Sequence, residues 1–267
     1  MSKYDDIIEA VFFKHFKPGA VRVPFDREEL ADACAKLQFT RIKNLGDIPY
    51  SFRFRRDLPS AIAGTAPKHA EWIILGTKVG AYEFRLAKPA KITPTENRQR
   101  IKIPDATPDI VKKYAPGTDE QALLAKVRYN RLIDVFTGLT CYSIQNHLRT
   151  TVDNIGQIEV DEVYVGISKK GAHYVIPCQA KSPGDRFGIV QVMQDIELCR
   201  QRCPHALCKP IALQFLSEND VAMLELAVED DAGVFRLTVI DERHYHLTRQ
   251  EAMSDADIAN YCQQETP

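Results

Sequence analysis

Two short runs carry side chains whose types and spacing suit phosphate chemistry. The first, residues 156–167, reads GQIEVDEVYVGI and holds Glu159, Asp161 and Glu162. The second, residues 173–181, reads HYVIPCQAK and ends in Gln179-Ala180-Lys181. Both have the β-branched and aromatic content of strands, and Ser168-Lys169-Lys170-Gly171 between them has the composition of a turn. An antiparallel hairpin centred on Lys170 sets Asp161 opposite Gln179 and Glu159 opposite Lys181. Side chains alternate along a strand, so Glu159 and Asp161 share one face, as do Gln179 and Lys181. Two carboxylates, an amide oxygen and an ammonium then converge on one patch, a donor set for a hard divalent cation and a phosphate. The competing arrangement is an Asp161–Lys181 cross-strand ion pair on an exposed face, worth about 0.2–1 kcal/mol. Against it stands the apolar run before Lys181, which suits a central strand where an unpaired ammonium is costly.

An acid on one strand, a turn, and then an apolar strand ending in (Asp/Glu)-x-Lys is the signature of the PD-(D/E)XK nucleases. From Asp119 to Leu216 the chain resembles that superfamily, with Gln179-Ala180-Lys181 as its terminal motif. The resemblance is closest to the branch that includes type II restriction endonucleases, some of which carry Gln or Asn at that position. It implies an α/β fold, a restriction-endonuclease-like mixed β-sheet flanked by helices, and a Mg²⁺-dependent endodeoxyribonuclease in which Mn²⁺ can substitute. Asp161 would be the principal metal ligand, with the Gln179 amide oxygen and the Ala180 carbonyl beside it. Lys181 would orient the attacking water and stabilise developing negative charge. Gln179 removes one negative charge, which Glu159 or Glu120 would make up. Members of the superfamily often add an acid from the helix before the hairpin, and here Glu120 and Asp134 are both candidates. The same substitution admits a second reading, a DNA-binding protein of this fold with an impaired site. Cutting both strands of a symmetric site often uses a homodimer.

The elements that must position these groups are legible in part. Tyr4 to His15 has the periodicity of an amphipathic helix, with Ile7, Ile8, Val11 and Phe12 on one side. Asp26 is an N-cap for a helix from Arg27 to Leu37, with Glu29 at the capping-box position. The alternation in Ser51 to Arg56 reads as a strand that turns Phe52 and Phe54 inward and Arg53 and Arg55 outward. A strand pair follows at Glu71–Leu75 and Tyr82–Leu86, then an extended, proline-rich linker from Pro89 to Pro108. Pro116-Gly117-Thr118 ends it, and Asp119 to Phe136 reads as one amphipathic helix. Tyr142 to Arg149 is a short segment before the hairpin, and its Asn146-His147 matches too little of an HNH nuclease to carry weight. Asp185 would cap a helix running to Arg202 that buries Ile189, Val192, Met193 and Ile196, with Gln191 and Asp195 as a solvent-facing pair. Lys209–Leu216, Asp220–Glu229 and Val234–Ile240 read as further strands, with His244 and His246 at the surface.

Charge divides the chain. Residues 1–115 hold 21 Lys and Arg against 14 Asp and Glu, and residues 116–267 hold 14 against 22, under a net charge of −1. A basic first portion would grip DNA through counterion release, and an acidic second portion needs a metal before a phosphate can approach. This suggests an N-terminal α+β DNA-binding portion, 1–115, and a nuclease portion, 116–267. Arg53, Arg55, Lys43 and Arg100 are the candidate phosphate contacts, with Lys36, Arg41, Lys91, Arg98 and Lys102 as basic neighbours. Cys199, Cys203, His205 and Cys208 are the other candidate metal set, which would make a zinc-stabilised interaction protein. Their spacing lacks paired Cys-x2-Cys knuckles, so buried free thiols are the expected state. Seven cysteines, an odd number, fit reduced thiols rather than a disulfide framework. With no secretory signal and no apolar run near the length of a bilayer span, the expectation is a cytoplasmic protein without a membrane partner.

Overall fold

The computed structural model describes residues 2–39, 42–114, 119–153 and 155–265. Arg41 and Pro116-Gly117-Thr118 lie outside these residues. In chain order the elements are α1 (Lys3–His15), β1 (Arg22–Asp26), α2 (Arg27–Lys36), α3 (Asp47–Phe54), α4 (Ser60–Ala63), β2 (Glu71–Lys78), β3 (Ala81–Ala87), β4 (Lys91–Ile92) and β5 (Arg100–Pro104). There follow α5 (Asp109–Tyr114), α6 (Glu120–Tyr129), α7 (Leu132–Thr137), β6 (Thr140–Val152), β7 (Gly156–Ile167), β8 (His173–Lys181), β9 (Phe187–Gly188) and α8 (Ile189–Arg202). The chain closes with β10 (Leu207–Cys208), β11 (Ile211–Phe215), β12 (Asp220–Asp231), β13 (Val234–Thr248) and α9 (Asp255–Glu265).

One large mixed sheet runs β1-β3-β13-β12-β11-β8-β7-β6, with β2 on β3, β5 on β13 and β10 on β8. The β7–β8 hairpin turns where the sequence sets it, pairing Glu162 with Cys178 and Ile167 with His173. Strand β8 is central: β11 runs parallel to it on the other side, with Gln214 opposite Lys181. Its apolar run follows from burial on both faces. Ile176, Cys178 and Ala180 pack with Leu123, Leu124 and Val127 of α6 and with Leu132 and Ile133 of α7. Val175 packs with Leu198 and Cys199 of α8 on the opposite face. The architecture is therefore a mixed α/β sheet with helices against it. Among the described residues no helix is long and apolar enough to cross a membrane.

Several local expectations change. Residues 51–56 are not a strand, because Ile48 and Phe52 stand four apart and both bury with Ile8 and Phe12 of α1 and Trp72 of β2, which requires a helical turn. Pro49 sits in the first turn of α3, where its missing N–H costs nothing. The helix from Asp119 breaks into α6 and α7 at Arg131, whose φ of 50° is left-handed. Residues 142–149 belong to the long strand β6, paired along β7. The helix after Lys181 starts at Ile189 with Gly188 as its N-cap, not at Asp185. The 89–108 linker contains β4 and β5. Strand β5 pairs with β13 from Arg100–His244 to Pro104–Thr248. His244 is not a surface group but is buried against Glu242, whereas His246 stays part-exposed and binds Asp220 at 2.7 Å.

Asp105 ties the exit of β5 to α5 and α6. It accepts from the Thr107 N–H at 2.9 Å, Asn130 at 3.2 Å and Lys112 at 2.9 Å. Burial opposes its ionisation, but these donors outweigh burial and bring its pKa down from 3.8 to about 2. A depressed folded-state pKa gives stability that is present above the ordinary value and lost as pH falls through the folded one. Asp105→Asn is therefore expected to lower Tm at pH 7, with the gap to the parent closing between pH 3.8 and about 2. Thermal melts across that range check it, and a gap independent of pH would refute the assignment.

Candidate active site

The hairpin ladder stops at Glu162–Cys178, one residue short of the Asp161–Gln179 pair that alternation sets opposite. Glu162 faces α6 through Arg128, yet Val160 and Ile158, of the same parity, pack with Leu198 and Cys199 of α8. Strand β7 therefore changes the face it presents at Asp161. Freed from the ladder, Asp161 turns its carboxylate onto β8 and accepts the Ala180 N–H at 2.8 Å. Convergence is achieved, but through a side-chain bond that replaces a ladder bond rather than through strict cross-strand pairing.

A cleft of about 890 Å³ brings Glu120, Glu159, Asp161, Gln179 and Lys181 onto one lining. Glu120 opens α6, behind an Asp119 N-cap that accepts from Ala122 N–H at 2.8 Å. Burial raises its pKa, as do Asp161 and Asp185, while Lys181 opposes. Burial likewise pushes Asp161 above its ordinary range, against the Ala180 N–H and Lys181. Asp134, the competing acid, instead binds Arg131 and the Cys141 N–H and is not on this lining. Among the described residues Lys181 has no carboxylate within ion-pair distance, so the exposed Asp161–Lys181 pair is not formed.

Gln179 is 5 % exposed, and its Nε2 donates to the Glu159 carbonyl at 3.3 Å and to Asp195 at 3.1 and 3.2 Å. That commits the nitrogen inward and leaves the oxygen as the atom available to a cation. Asp195 is not the solvent-facing partner of Gln191: it is 1 % exposed, packed beneath the motif by α8. Burial pushes its carboxyl well above the usual range, only partly opposed by the Gln179 amide. Asp195→Ala would strand the Gln179 Nε2 and cost about 1–3 kcal/mol. Asp195→Asn, a neutral isostere, should cost clearly less. Urea unfolding measures both, and equal losses would refute the inference that Asp195 acts as the acceptor for Gln179.

Neither the families of known proteins, nor curated sequences, nor solved structures yield a match to this chain. What the site can do therefore rests on its own chemistry.

Oxygen donors dominate the cleft, and a magnesium ion needs only one or two carboxylates because it keeps several waters. Among the described residues no three His, Cys, Asp or Glu side chains are grouped to hold a metal by themselves. Were a cation bound here, Asp161, the Gln179 oxygen and the Ala180 carbonyl are the groups that would hold it, with Glu120 or Glu159 completing the charge. Cys199, Cys203 and Cys208 pack among Val152, Ile158, Val160 and Leu198 instead. A hydrogen bond with Cys199, and then burial, raise the Cys208 thiol far above its ordinary range, against thiolate ligation.

Sequence reading missed His147 and Arg149. Both line the cleft, and Arg149 binds Glu159 at 3.0 Å. His147 stands opposite Asp161 with a φ of 46°, outside the paired register on either side. Its position depends on the β6–β7 pairing, for which residues 142–149 carry no local signal. Of the candidate phosphate contacts, Arg53 and Arg55 reach the cleft from the end of α3, although not from one strand face. Arg53 is half-buried, burial lowers its pKa, and its Nε has no hydrogen-bond partner. Lys43 is exposed on the loop before α3 and is not on the lining. Arg100 binds Asp220 at 3.4 Å and lines a different cleft with Arg98 and Gln214.

Proposed function

We propose that the protein is a metal-dependent DNA endonuclease of the PD-(D/E)XK type. One observation carries the reading: Asp161, turned out of the ladder onto the Ala180 N–H, shares a cleft with an ammonium, Lys181, that has no ion-pair partner among the described residues. A purely structural acid–base pair on a sheet would neutralise itself; this arrangement keeps both charges for a third party. Bound Mg²⁺ would neutralise charge on a phosphate and lower the pKa of a water. Asp161, Gln179 and the Ala180 carbonyl would hold it. Lys181 would hold the attacking water by hydrogen bond and stabilise charge developing on the phosphate. Glu120, its pKa raised by burial, would exchange a proton with that water or with the leaving oxygen.

The test is nicking of supercoiled plasmid by the purified full chain. Conversion to open circle is expected with Mg²⁺ or Mn²⁺ and not with EDTA. Retained DNA binding without cleavage, in either metal, would favour the impaired-site alternative.

A further inference from the structure

A second cleft of about 680 Å³ opens beside the first, between the end of α3, strand β2 and the start of α8. The two share Arg53, Phe54, Arg55, Lys181 and Gln191 on their linings, so they meet at the candidate catalytic lysine. The second cleft is strongly cationic. Arg53, Arg55, Arg56, Lys91, Lys181 and Arg186 line it, against Asp57, Glu71 and Asp185. Arg56 is engaged with Asp5 and Lys91 with Asp57. Among the described residues Arg53, Arg55, Lys181 and Arg186 have no carboxylate within ion-pair distance. Four cations without ion-pair partners in one cleft repel each other, and the stacking of Arg53 on Phe54 and of Arg55 on Tyr50 leaves their charge unneutralised.

We propose that this second cleft carries the phosphodiester backbone on one side of the cut, so that a nucleic-acid strand runs through both clefts with its scissile phosphate at Lys181. The inference rests on the nuclease reading for the position of the cut, but not for the binding of the strand. Arg53, which lines both clefts, takes a phosphate at their junction. Arg186, on the exposed loop before α8 and lining the second cleft but not the first, takes a phosphate further along. Phosphate contacts of this kind position the strand without reading its sequence.

The experiment titrates the full chain into a fluorescein-labelled duplex oligonucleotide of mixed sequence, in EDTA, across a series of salt concentrations. Removing one cation that pairs with a phosphate should weaken binding and make the plot of log K against log salt shallower by about 1. Arg186→Gln and Arg53→Gln are each expected to show that change, and the double variant about twice it. Lys170→Gln, at the far end of the hairpin, should match the parent. Arg186 is exposed and replaceable without disturbing the core, so its variant stays informative even if Arg53→Gln folds poorly. An unchanged slope in Arg186→Gln would overturn the second path. A shallower slope in a protein that cuts no plasmid would leave the path standing and remove the nuclease reading instead.

Discussion

Plasmid nicking is expected to disappear in Asp161→Ala and in Lys181→Ala. Each should fall by at least the roughly 10²–10³-fold that removing one group stabilising a transition state costs. Among the described residues Asp161 is the only carboxylate held by the β8 main chain, through the Ala180 N–H, so its loss removes the anchor of any cation there. Lys181 is one of three cations, with Arg53 and Arg55, that line both clefts. The two variants should still bind DNA, because the arginines that line the clefts are untouched. Initial nicking rates in Mg²⁺, with DNA binding measured in EDTA, separate loss of chemistry from loss of fold. Parent-like rates in either variant would refute the assigned roles. Because burial raises the Asp161 pKa, cleavage should also weaken as pH falls toward that raised value, earlier than for an ordinary carboxylate.

Arg128→Met should be the most damaging change to stability. Glu162 is fully buried; its Oε1 takes Arg128 Nε at 3.0 Å and the Ser143 hydroxyl, and its Oε2 has no partner. Removing the guanidinium leaves a carboxylate in the core between β7 and α6. Breaking a buried pair from one side costs about 3–5 kcal/mol, and the partial exposure of Arg128 points to about 3 kcal/mol. Adding Glu162→Gln should recover part of the loss, since the neutral amide no longer needs a counter-charge. Urea denaturation gives both values, and a loss below about 1 kcal/mol would mean that the pair behaves as an ordinary surface bridge.

Hairpin register, helix caps and apolar periodicity were set by local sequence. Residues 168–171 turn β7 into β8, Asp26 and Glu29 cap α2, and Ile7, Ile8, Val11 and Phe12 bury one side of α1. These follow from neighbours a few positions apart, where turn chemistry and side-chain period decide the outcome. The site is different. Alternation carried to the end of the hairpin correctly groups Asp161, Gln179 and Lys181, yet the ladder ends before them and a side-chain bond to Ala180 does the grouping. Phe52 to Arg55 alternate like a strand but bury as a helix, because Ile48, Phe52 and the core beneath them decide the period. Asp195 reads as half of an exposed pair until α8 is laid under β8, and His147 has no meaning until β6 pairs with β7.

What the sequence alone determined, then, is which groups of the hairpin come together and roughly how the flanking elements begin and end. Only the tertiary structure decided which acids join them, which way Gln179 points, and that two clefts meet at Lys181. The physical reason is range. Turns, caps and periodicity are settled by contacts within one element. A buried acid beneath a strand, or a guanidinium left without a counter-charge, depends on which distant elements pack against it.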